Sequence, residues 1–166
     1  GIDIDAIGLI TLKIMGHPIS PMPFEKLKEI IDRTNMKFIL KGIMTKEDAM
    51  LALKCGADAI VVSNHGGRVL DHTMGTAAVL PEISKAIDGK IKVLADGGIR
   101  TGADVLKMLA LGADSVMIGR PFSVAAVGGL KDGVVKYIRK LKAELVQAMI
   151  LTGTESVKNI EKTIIN

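Results

Sequence analysis

The segment Ser63-Asn64-His65-Gly66-Gly67-Arg68 combines an acid–base side chain and a cationic side chain with two glycines. A histidine titrates near neutral pH, so His65 has the chemistry of a general base. Arg68 presents a forked set of donors that matches a carboxylate. The alternative for Arg68 is an ion pair with Asp71 that only clamps the loop. Together, His65 and Arg68 predict proton abstraction from a small acid.

Two later segments have the composition of a phosphate site. The residues concerned are Asp96, Gly97, Gly98, Ile99, Arg100, Gly119 and Arg120. Glycines let backbone amides approach a ligand closely, and arginine donors match phosphate oxygens. Helices that begin near Thr101 and after Pro121 would direct their N-termini at the same place. The alternative is that the glycines only form turns and the arginines lie on the surface.

Four short apolar runs are predicted to be the strands that position these residues. They cover residues 37–40, 59–62, 91–95 and 115–118. Each run is nearly continuous rather than alternating, which is typical of parallel strands covered by helices. Apolar residues with helical spacing lie in 24–31, 49–55, 79–87, 105–110 and 134–149. The class is therefore α/β with a parallel sheet, and the candidate residues all follow strand ends, where such folds place their sites.

A repeat refines the fold prediction. Thr45 and Asp48 precede one helix and Thr101 and Asp104 another, at an offset of 56 residues, and each helix is followed by Gly-Ala-Asp. Such threonines predict helix caps. A complete (β/α)8 TIM barrel needs about 250 residues. We therefore expect residues 1–166 to form one domain, the second half of a barrel with strands about 5 to 8. A doubly wound sheet is the alternative, but no G-x-G-x-x-G follows the first strand.

Composition excludes several classes of protein. The chain has one Cys, which excludes a disulfide scaffold and a cysteine zinc site, and no metal is expected. Four aromatic residues and a net charge of +4 do not favour nucleic-acid binding. No apolar run reaches the roughly 18 residues of a membrane helix, and no signal peptide is visible, so a cytoplasmic location is expected. The chain starts with Gly1 and is expected to be a fragment of a longer protein.

In order and spacing, these motifs resemble the carboxyl-terminal half of the FMN-dependent α-hydroxy acid oxidases and dehydrogenases, the family of glycolate oxidase and lactate oxidase. The resemblance covers about residues 3–160. The segments that carry it are 40–42, 63–71, 96–102, 111–113 and 118–121. It implies a TIM barrel that binds FMN and oxidises a small L-2-hydroxy acid, of the lactate or glycolate type, to the 2-oxo acid.

The resemblance also implies catalytic roles. His65 matches the active-site base, and Arg68 matches the arginine that holds the substrate carboxylate. Asp3, five residues before a glycine, matches the carboxylate that orients the histidine. Oxidases of the family usually carry a second arginine just past that glycine, and this chain has Leu9 and Ile10 there.

Further positions match cofactor contacts. Lys41 matches the lysine near the flavin N1 and C2 carbonyl, where positive charge stabilises the reduced anionic flavin. Ser63 matches a contact of the flavin ring. The segment from Asp96 through Gly97, Gly98 and Ile99 to Arg100 matches the contacts of the ribityl chain and phosphate. The remaining phosphate contacts match Gly119 and Arg120.

Two other interpretations remain at this point. One is another FMN or phosphate-binding barrel, such as a type 2 isopentenyl diphosphate isomerase or a relative of the inosinate dehydrogenases. The inosinate enzymes need a catalytic loop cysteine, and Cys55 lies in a predicted helix. The other is an inactive half-barrel, whose exposed sheet edges would pair with the missing amino-terminal half or with a second copy of the chain.

Overall fold

A computed structural model of the chain describes residues 1–165 and contains a parallel sheet of five strands in the order β1-β2-β3-β4-β5. The strands are β1 Ile2–Asp3, β2 Ile39–Ile43, β3 Ala59–Val62, β4 Lys92–Ala95 and β5 Ser115–Val116. A doubly wound sheet would reverse its strand order part-way, so the sequential order excludes it. The predicted α/β class and partial barrel are confirmed.

The boundaries of three strands differ from the prediction, and the run at 91–95 begins its strand one residue later, at Lys92. The run at 37–40 begins its strand only at Ile39 and extends to Ile43, because Gly42 continues the ladder through a register shift. The run at 115–118 is a strand for only two residues. The fifth strand, β1, also has two residues, which is too short for any periodicity to reveal it.

Helices connect the strands. They are α1 Ile10–Ile14, α2 Phe24–Asp32, α3 Lys46–Cys55, α4 Thr76–Ile87, α5 Gly102–Ala110 and α6 Arg120–Leu151, with 3-10 turns at Ala6–Gly8 and Lys162–Ile165. The five predicted helices are all present, and α1 is additional. No helix within residues 1–165 combines the length and apolar character needed to cross a membrane.

The long helix α6 consists of two helical segments, a first arm before Gly129 and a second arm after Leu130. The backbone leaves helical geometry at Gly129 and Leu130. The ring centroids of Phe122 and Tyr137 are 5.0 Å apart, in an edge-to-face contact. A straight helix would separate these residues by roughly 22 Å, so the chain reverses between them. The first arm is therefore a short extra helix directly after β5, and the second arm packs back on α5.

The core lies between one face of the sheet and the helices. Leu40, Ile60 and Val93 occupy equivalent positions on neighbouring strands and are almost completely buried in it. Side chains alternate along a strand, so Lys41 and Leu94 lie on the opposite face, where they are partly exposed. That opposite face and its rim carry the candidate site.

The predicted caps are present. Thr101 Oγ1 accepts a hydrogen bond from Asp104 N at 3.1 Å, and Asp104 accepts in return from the Thr101 backbone, which completes a capping box. Thr45 Oγ1 accepts from Asp48 N at 3.1 Å without the full reciprocal pair. Gly56, with φ of 88°, ends α3 in the left-handed conformation.

We predict that Gly102→Ala destabilises the fold. Gly102 lies where α5 meets the second arm of α6, and an added Cβ would overlap Leu145 N and stand 2.5 Å from the Glu144 carbonyl carbon. Overpacking of this kind costs about 1–3 kcal/mol. Urea unfolding measures it. Gly128→Ala is the matched control, because its Cβ would meet nothing within 4 Å, and equal losses in the two variants would contradict the prediction.

Candidate active site

A cleft of about 320 Å³ opens at the carboxyl ends of the strands. It brings together eleven of the twelve residues predicted for the site. They are Asp3, Lys41, His65, Arg68, Asp96, Gly97, Gly98, Ile99, Arg100, Gly119 and Arg120. Gly66, Met117, Ile118 and Pro121 complete the lining. Residues from the ends of all five strands thus meet in one cavity, as parallel topology requires.

His65 stands at the end of β3 with its side chain 12% exposed. Its φ of 57° begins a left-handed run that continues through Gly66 and Gly67. A left-handed conformation is costly for a residue with a Cβ. Ser63 supports it, because its Oγ accepts from His65 N at 3.1 Å. Ser63 itself is completely buried and is the one predicted site residue outside the cleft lining.

The imidazole Nδ1 of His65 has three polar neighbours. Asp5 Oδ1 lies 3.2 Å away, Lys41 Nζ 3.4 Å away and Asp3 Oδ2 3.6 Å away. Lys41 Nζ in turn donates to both oxygens of Asp3, at 3.0 and 2.9 Å. These four side chains form a connected cluster, the acid–base cluster, at the ends of β1, β2 and β3.

The two carboxyl groups of the cluster differ in acidity. Burial acts to raise the pKa of Asp3, but hydrogen bonds from Asp5 and Lys41 outweigh it and hold that pKa below 3.8. Burial, reinforced by the neighbouring Asp3 carboxylate, raises the pKa of Asp5 above 3.8. The Oδ2 atom of Asp5 is buried with no partner among residues 1–165. Asp3 is thus the more readily ionised member of the pair.

Asp5 was not predicted from the sequence. No periodic pattern could have revealed it, because β1 ends at Asp3 and Asp5 lies in the turn that follows, with φ of −87° and ψ of −5°. Three groups that could ligate a cation, on Asp3, Asp5 and His65, lie within 4.8 Å of one another. The ammonium of Lys41 already supplies positive charge to this cluster.

Arg68 is held by its own loop. Its Nε donates to the carbonyl of His65 at 2.9 Å, and its terminal nitrogens make no ion pair or hydrogen bond within the described residues. Asp71 is 92% exposed and does not pair with it. The loop-clamp alternative is therefore absent, and the guanidinium beside the histidine has unused donors.

The other side of the cleft is built from the ends of β4 and β5. Gly98, with φ of 77°, and Gly119 have nothing within 4 Å of where a Cβ would stand, so both backbones border open space. Arg100 precedes the capped start of α5, and Arg120 begins the first arm of α6. Arg120 Nη2 also reaches the carbonyl of Gly66 at 3.4 Å.

One buried polar atom in this half has no partner. Asp96 Oδ1 is buried, and nothing within residues 1–165 hydrogen-bonds to it. The backbone carbonyl of Asp96, by contrast, accepts from Thr76 Oγ1 at 2.6 Å. A buried oxygen without a hydrogen bond is costly, so Asp96 Oδ1 is an acceptor available to a donor from outside the described residues.

The fold and cleft define an α/β protein with a partial barrel, in which an acid–base cluster faces a rim lined by glycines and arginines. Residues 10–166 match the model of the FMN-dependent dehydrogenases, and the chain belongs to this family. The resemblance inferred from the motifs is thereby confirmed. FMN is the cofactor of the family.

Individual relatives agree with this membership. A 2-hydroxyacid oxidase of Dictyostelium discoideum is 48% identical over 144 residues, 87% of this chain and 37% of the relative. An L-lactate dehydrogenase of Xanthomonas campestris pv. campestris is 52% identical over 122 residues, 74% of this chain and 32% of the relative. The chain thus spans about a third of the length of these curated relatives.

Solved structures give the same result. A mandelate oxidase variant superposes with a TM-score of 0.86 at 37% identity, covering 96% of this chain and 53% of the other. Another mandelate oxidase variant, which holds a monooxide FMN adduct, superposes with a TM-score of 0.85 at 38% identity. That match covers 96% of this chain and 52% of the other. Part of a barrel is therefore shared with proteins about twice as long.

We predict that Asp104→Asn loosens the start of α5 in a pH-dependent way. Although burial opposes it, hydrogen bonds from Thr101 and the Arg100 backbone lower the pKa of Asp104 below 3.8. The ionised carboxylate therefore contributes stability above pH 3.8, and this is lost as pH falls through the lowered pKa. The expected loss at pH 7 is about 0.5–2 kcal/mol.

Urea unfolding at pH 7 and at about pH 2.5 checks this prediction. Asp48→Asn is the control, because Asp48 lies at the same position of α3 without the full reciprocal pair, and its effect should be smaller. A loss in Asp104→Asn that persists undiminished at the lower pH would contradict the assignment.

Proposed function

We propose that this chain provides the FMN-binding and catalytic part of an enzyme that oxidises a small L-2-hydroxy acid, of the lactate or glycolate type, to the 2-oxo acid. One observation carries the proposal. A single cleft holds the imidazole of His65 and the guanidinium of Arg68, which has unused donors. The same cleft is lined by Gly98, Arg100, Gly119 and Arg120, which together are called the cradle. The relatives named as lactate dehydrogenase, 2-hydroxyacid oxidase and mandelate oxidase support the substrate class.

The residues on the β4 and β5 side fit FMN. The open spaces beside Gly98 and Gly119 admit a phosphate to the backbone amides, and Arg100 and Arg120 provide charged donors. The unpartnered Oδ1 of Asp96 is an acceptor suited to a ribityl hydroxyl. Ser63 lies outside the cleft lining and is proposed to act indirectly. Its Oγ accepts a hydrogen bond from His65 N and thereby fixes the loop that carries His65.

The opposite side of the cleft binds and deprotonates the substrate. Arg68 holds the substrate carboxylate through its terminal nitrogens. His65 removes the hydroxyl proton, with Nε2 as the accepting atom because Nδ1 is already engaged by the acid–base cluster. Lys41 places a positive charge at this end of the cleft, where negative charge would build up on the cofactor. When bound, FMN would accept the hydrogen of the substrate carbinol carbon together with the two electrons of that C–H bond, so that the carbinol becomes a carbonyl.

The chain departs from the family's oxidases at the position of the second arginine, which leaves fewer charged groups to anchor the substrate. Leu9 and Ile10 follow Gly8 and carry no charge. Gly8 itself packs against Val69 in the loop after His65, where a Cβ would clash. Arg68 is thus proposed as the main carboxylate anchor.

The partner of the chain is proposed to be the amino-terminal half of a barrel, or a second copy of the chain. Strands β1 and β5 are each paired on one side only within residues 1–165. Unpaired parallel edges favour association with another strand. Either partner would close the cleft from the side opposite the cradle.

We predict that the purified chain takes up FMN and that Arg120→Met weakens this binding. A hydrogen bond to a charged group is worth about 1.5–3 kcal/mol, which corresponds to roughly 10–150-fold in Kd. Quenching of FMN fluorescence on titration measures the affinity. Arg139→Met is the control, because Arg139 is exposed on the second arm of α6 and its substitution removes the same charge. Equal affinity in both variants would count against the cradle.

We also predict that His65→Ala abolishes turnover and leaves FMN binding intact. Loss of a general base costs about 10²–10⁴-fold in rate. Anaerobic bleaching of the flavin absorption by L-lactate or glycolate follows the reaction. Loss of flavin together with activity would contradict separate roles for the base and the cradle. If the chain alone takes up no FMN, the test is repeated with the amino-terminal half-barrel of a relative added in trans.

A further inference from the structure

Tyr137 is the only tyrosine of the chain, and it contacts both segments that carry the arginines of the cradle. Its hydroxyl donates to the carbonyl of Arg100 at 2.9 Å. Its ring meets the ring of Phe122, which follows Arg120 by two residues on the first arm of α6. Burial raises the pKa of the Tyr137 phenol, so the hydroxyl keeps the proton that it donates at neutral pH. One side chain of the second arm thus reaches the cleft rim from behind.

The hydrogen bond from Tyr137 completes the fixing of the backbone around Arg100. The carbonyl of Arg100 and the N–H of Thr101 belong to the same planar peptide group. That N–H donates to Asp104 Oδ2 at 3.0 Å, and the N–H of Arg100 donates to the same oxygen at 3.1 Å. The peptide groups on both sides of the Arg100 Cα are therefore held. The direction in which the Arg100 side chain leaves the backbone is set by these bonds.

The ring contact holds Tyr137 in place. The rings of Phe122 and Tyr137 lie edge to face, with planes at 79°. Edge-to-face pairs of aromatic rings are stabilising beyond the area that they bury. The two arms of α6 are joined at Gly129 and Leu130, where the backbone is not helical, so no continuous helix fixes their relative direction. The ring contact supplies such a fixed point close to Arg120.

The second arm has another anchor on α5, which does not depend on the Tyr137 hydroxyl. Glu144 Oε2 accepts from the N–H of Gly102 at 3.0 Å. Tyr137 and Glu144 are seven residues apart, about two helical turns, and therefore project from the same face of the arm. Glu144 holds the first turn of α5, whereas Tyr137 holds the backbone of a cradle residue. Removal of the hydroxyl alone thus leaves the arm docked.

We propose that Tyr137 is a positioning residue of the cofactor site, which holds Arg100 in place for a phosphate monoester through the hydrogen bond from its hydroxyl to the Arg100 carbonyl. The identity of the ligand as FMN rests on the proposed function. The hydrogen bond itself is a property of the chain without a ligand, so the two are tested separately.

Titration of the 166-residue chain with FMN, followed by fluorescence quenching, tests the effect on binding. Tyr137→Phe keeps the ring against Phe122 and loses only the hydrogen bond to Arg100. Its Kd for FMN should rise about 2–10-fold, the range expected for one neutral hydrogen bond. Thr152→Val is the matched control, because it removes a hydroxyl that donates to the Ala148 carbonyl at 2.9 Å, at the end of α6. This control should leave the Kd unchanged.

A double-mutant cycle separates positioning of Arg100 from a general effect on the structure. If Tyr137 acts through Arg100, Tyr137→Phe should have little effect on Kd in an Arg100→Met background. The same substitution should have its full effect in an Arg139→Met background. An unchanged Kd in Tyr137→Phe, or a full effect that persists in Arg100→Met, would overturn the proposal. An unfolded Tyr137→Phe chain, seen by circular dichroism, would also overturn it, because the hydroxyl would then serve overall stability.

Amide hydrogen exchange tests the hydrogen bond in the chain without a ligand. Loss of the hydroxyl frees one end of the peptide group that contains the Thr101 N–H. The Thr101 amide should therefore exchange about 2–10-fold faster in Tyr137→Phe. The Asp48 amide, which donates to Thr45 Oγ1 at the start of α3, is the internal reference and should not change. Unchanged exchange at Thr101 would contradict the role assigned to Tyr137.

The two measurements distinguish the possible failures. No FMN uptake by the unaltered chain, together with faster exchange at Thr101 in Tyr137→Phe, would count against the proposed function. The role of Tyr137 in holding Arg100 would still stand. FMN uptake that is insensitive to Tyr137→Phe would leave the proposed function intact and overturn the role of Tyr137.

Discussion

The ion pair between Lys41 and Asp3 is the contact on which the arrangement of the site depends. These residues are direct register partners on the parallel strands β1 and β2, so the pair joins the edge strand to the sheet. It also helps to hold the pKa of Asp3 below its usual value, whereas the pKa of the neighbouring Asp5 is raised by burial and by Asp3. The ammonium of Lys41 thus faces the more readily ionised carboxyl group of the acid–base cluster. Asp5 is the carboxyl group 3.2 Å from His65 Nδ1.

Glycines make the close approaches of the site possible. Gly42 leaves room for Asp5, and Gly66 allows Arg120 within reach of the loop that carries His65. Gly97 and Gly98 turn the chain away from β4 in the left-handed conformation and keep their amides beside the cleft. The contacts at Gly42 and Gly66 each join a charged side chain to the backbone of another strand end. A Cβ at Gly42 would overlap Asp5, and a Cβ at Gly66 would stand 2.7 Å from Arg120 Nη2.

Much of this architecture follows from the sequence. Continuous apolar runs predict the buried strands, because parallel strands have both faces covered, and the residues after each run then meet at one rim. One feature resists prediction for a physical reason. The strand β1 has only two residues and lies at an edge, so it carries no periodic pattern. The pair Gly128-Gly129 marks where α6 is interrupted, but it does not specify the direction of the second arm, which brings Tyr137 against Phe122.

The roles of Asp3 and Asp5 show a different limit. The motif that carries the family resemblance identifies Asp3, since its spacing to Gly8 is the matching feature. The structure brings Asp5 nearer to His65, because Lys41 engages Asp3. Sequence spacing locates a carboxylate to within a strand end but does not determine which nitrogen or ammonium it will face.

The sequential order of the sheet also shapes how the molecule forms. Each strand pairs with the next along the chain, so the elements can be added one after another through contacts of modest sequence separation. The contacts of the site are longer, with 60 residues between His65 and Asp5 and 54 between Arg120 and Gly66. Closing such long loops has a higher entropic cost. The side-chain contacts that complete the cleft thus span longer loops than the strand pairs that support it.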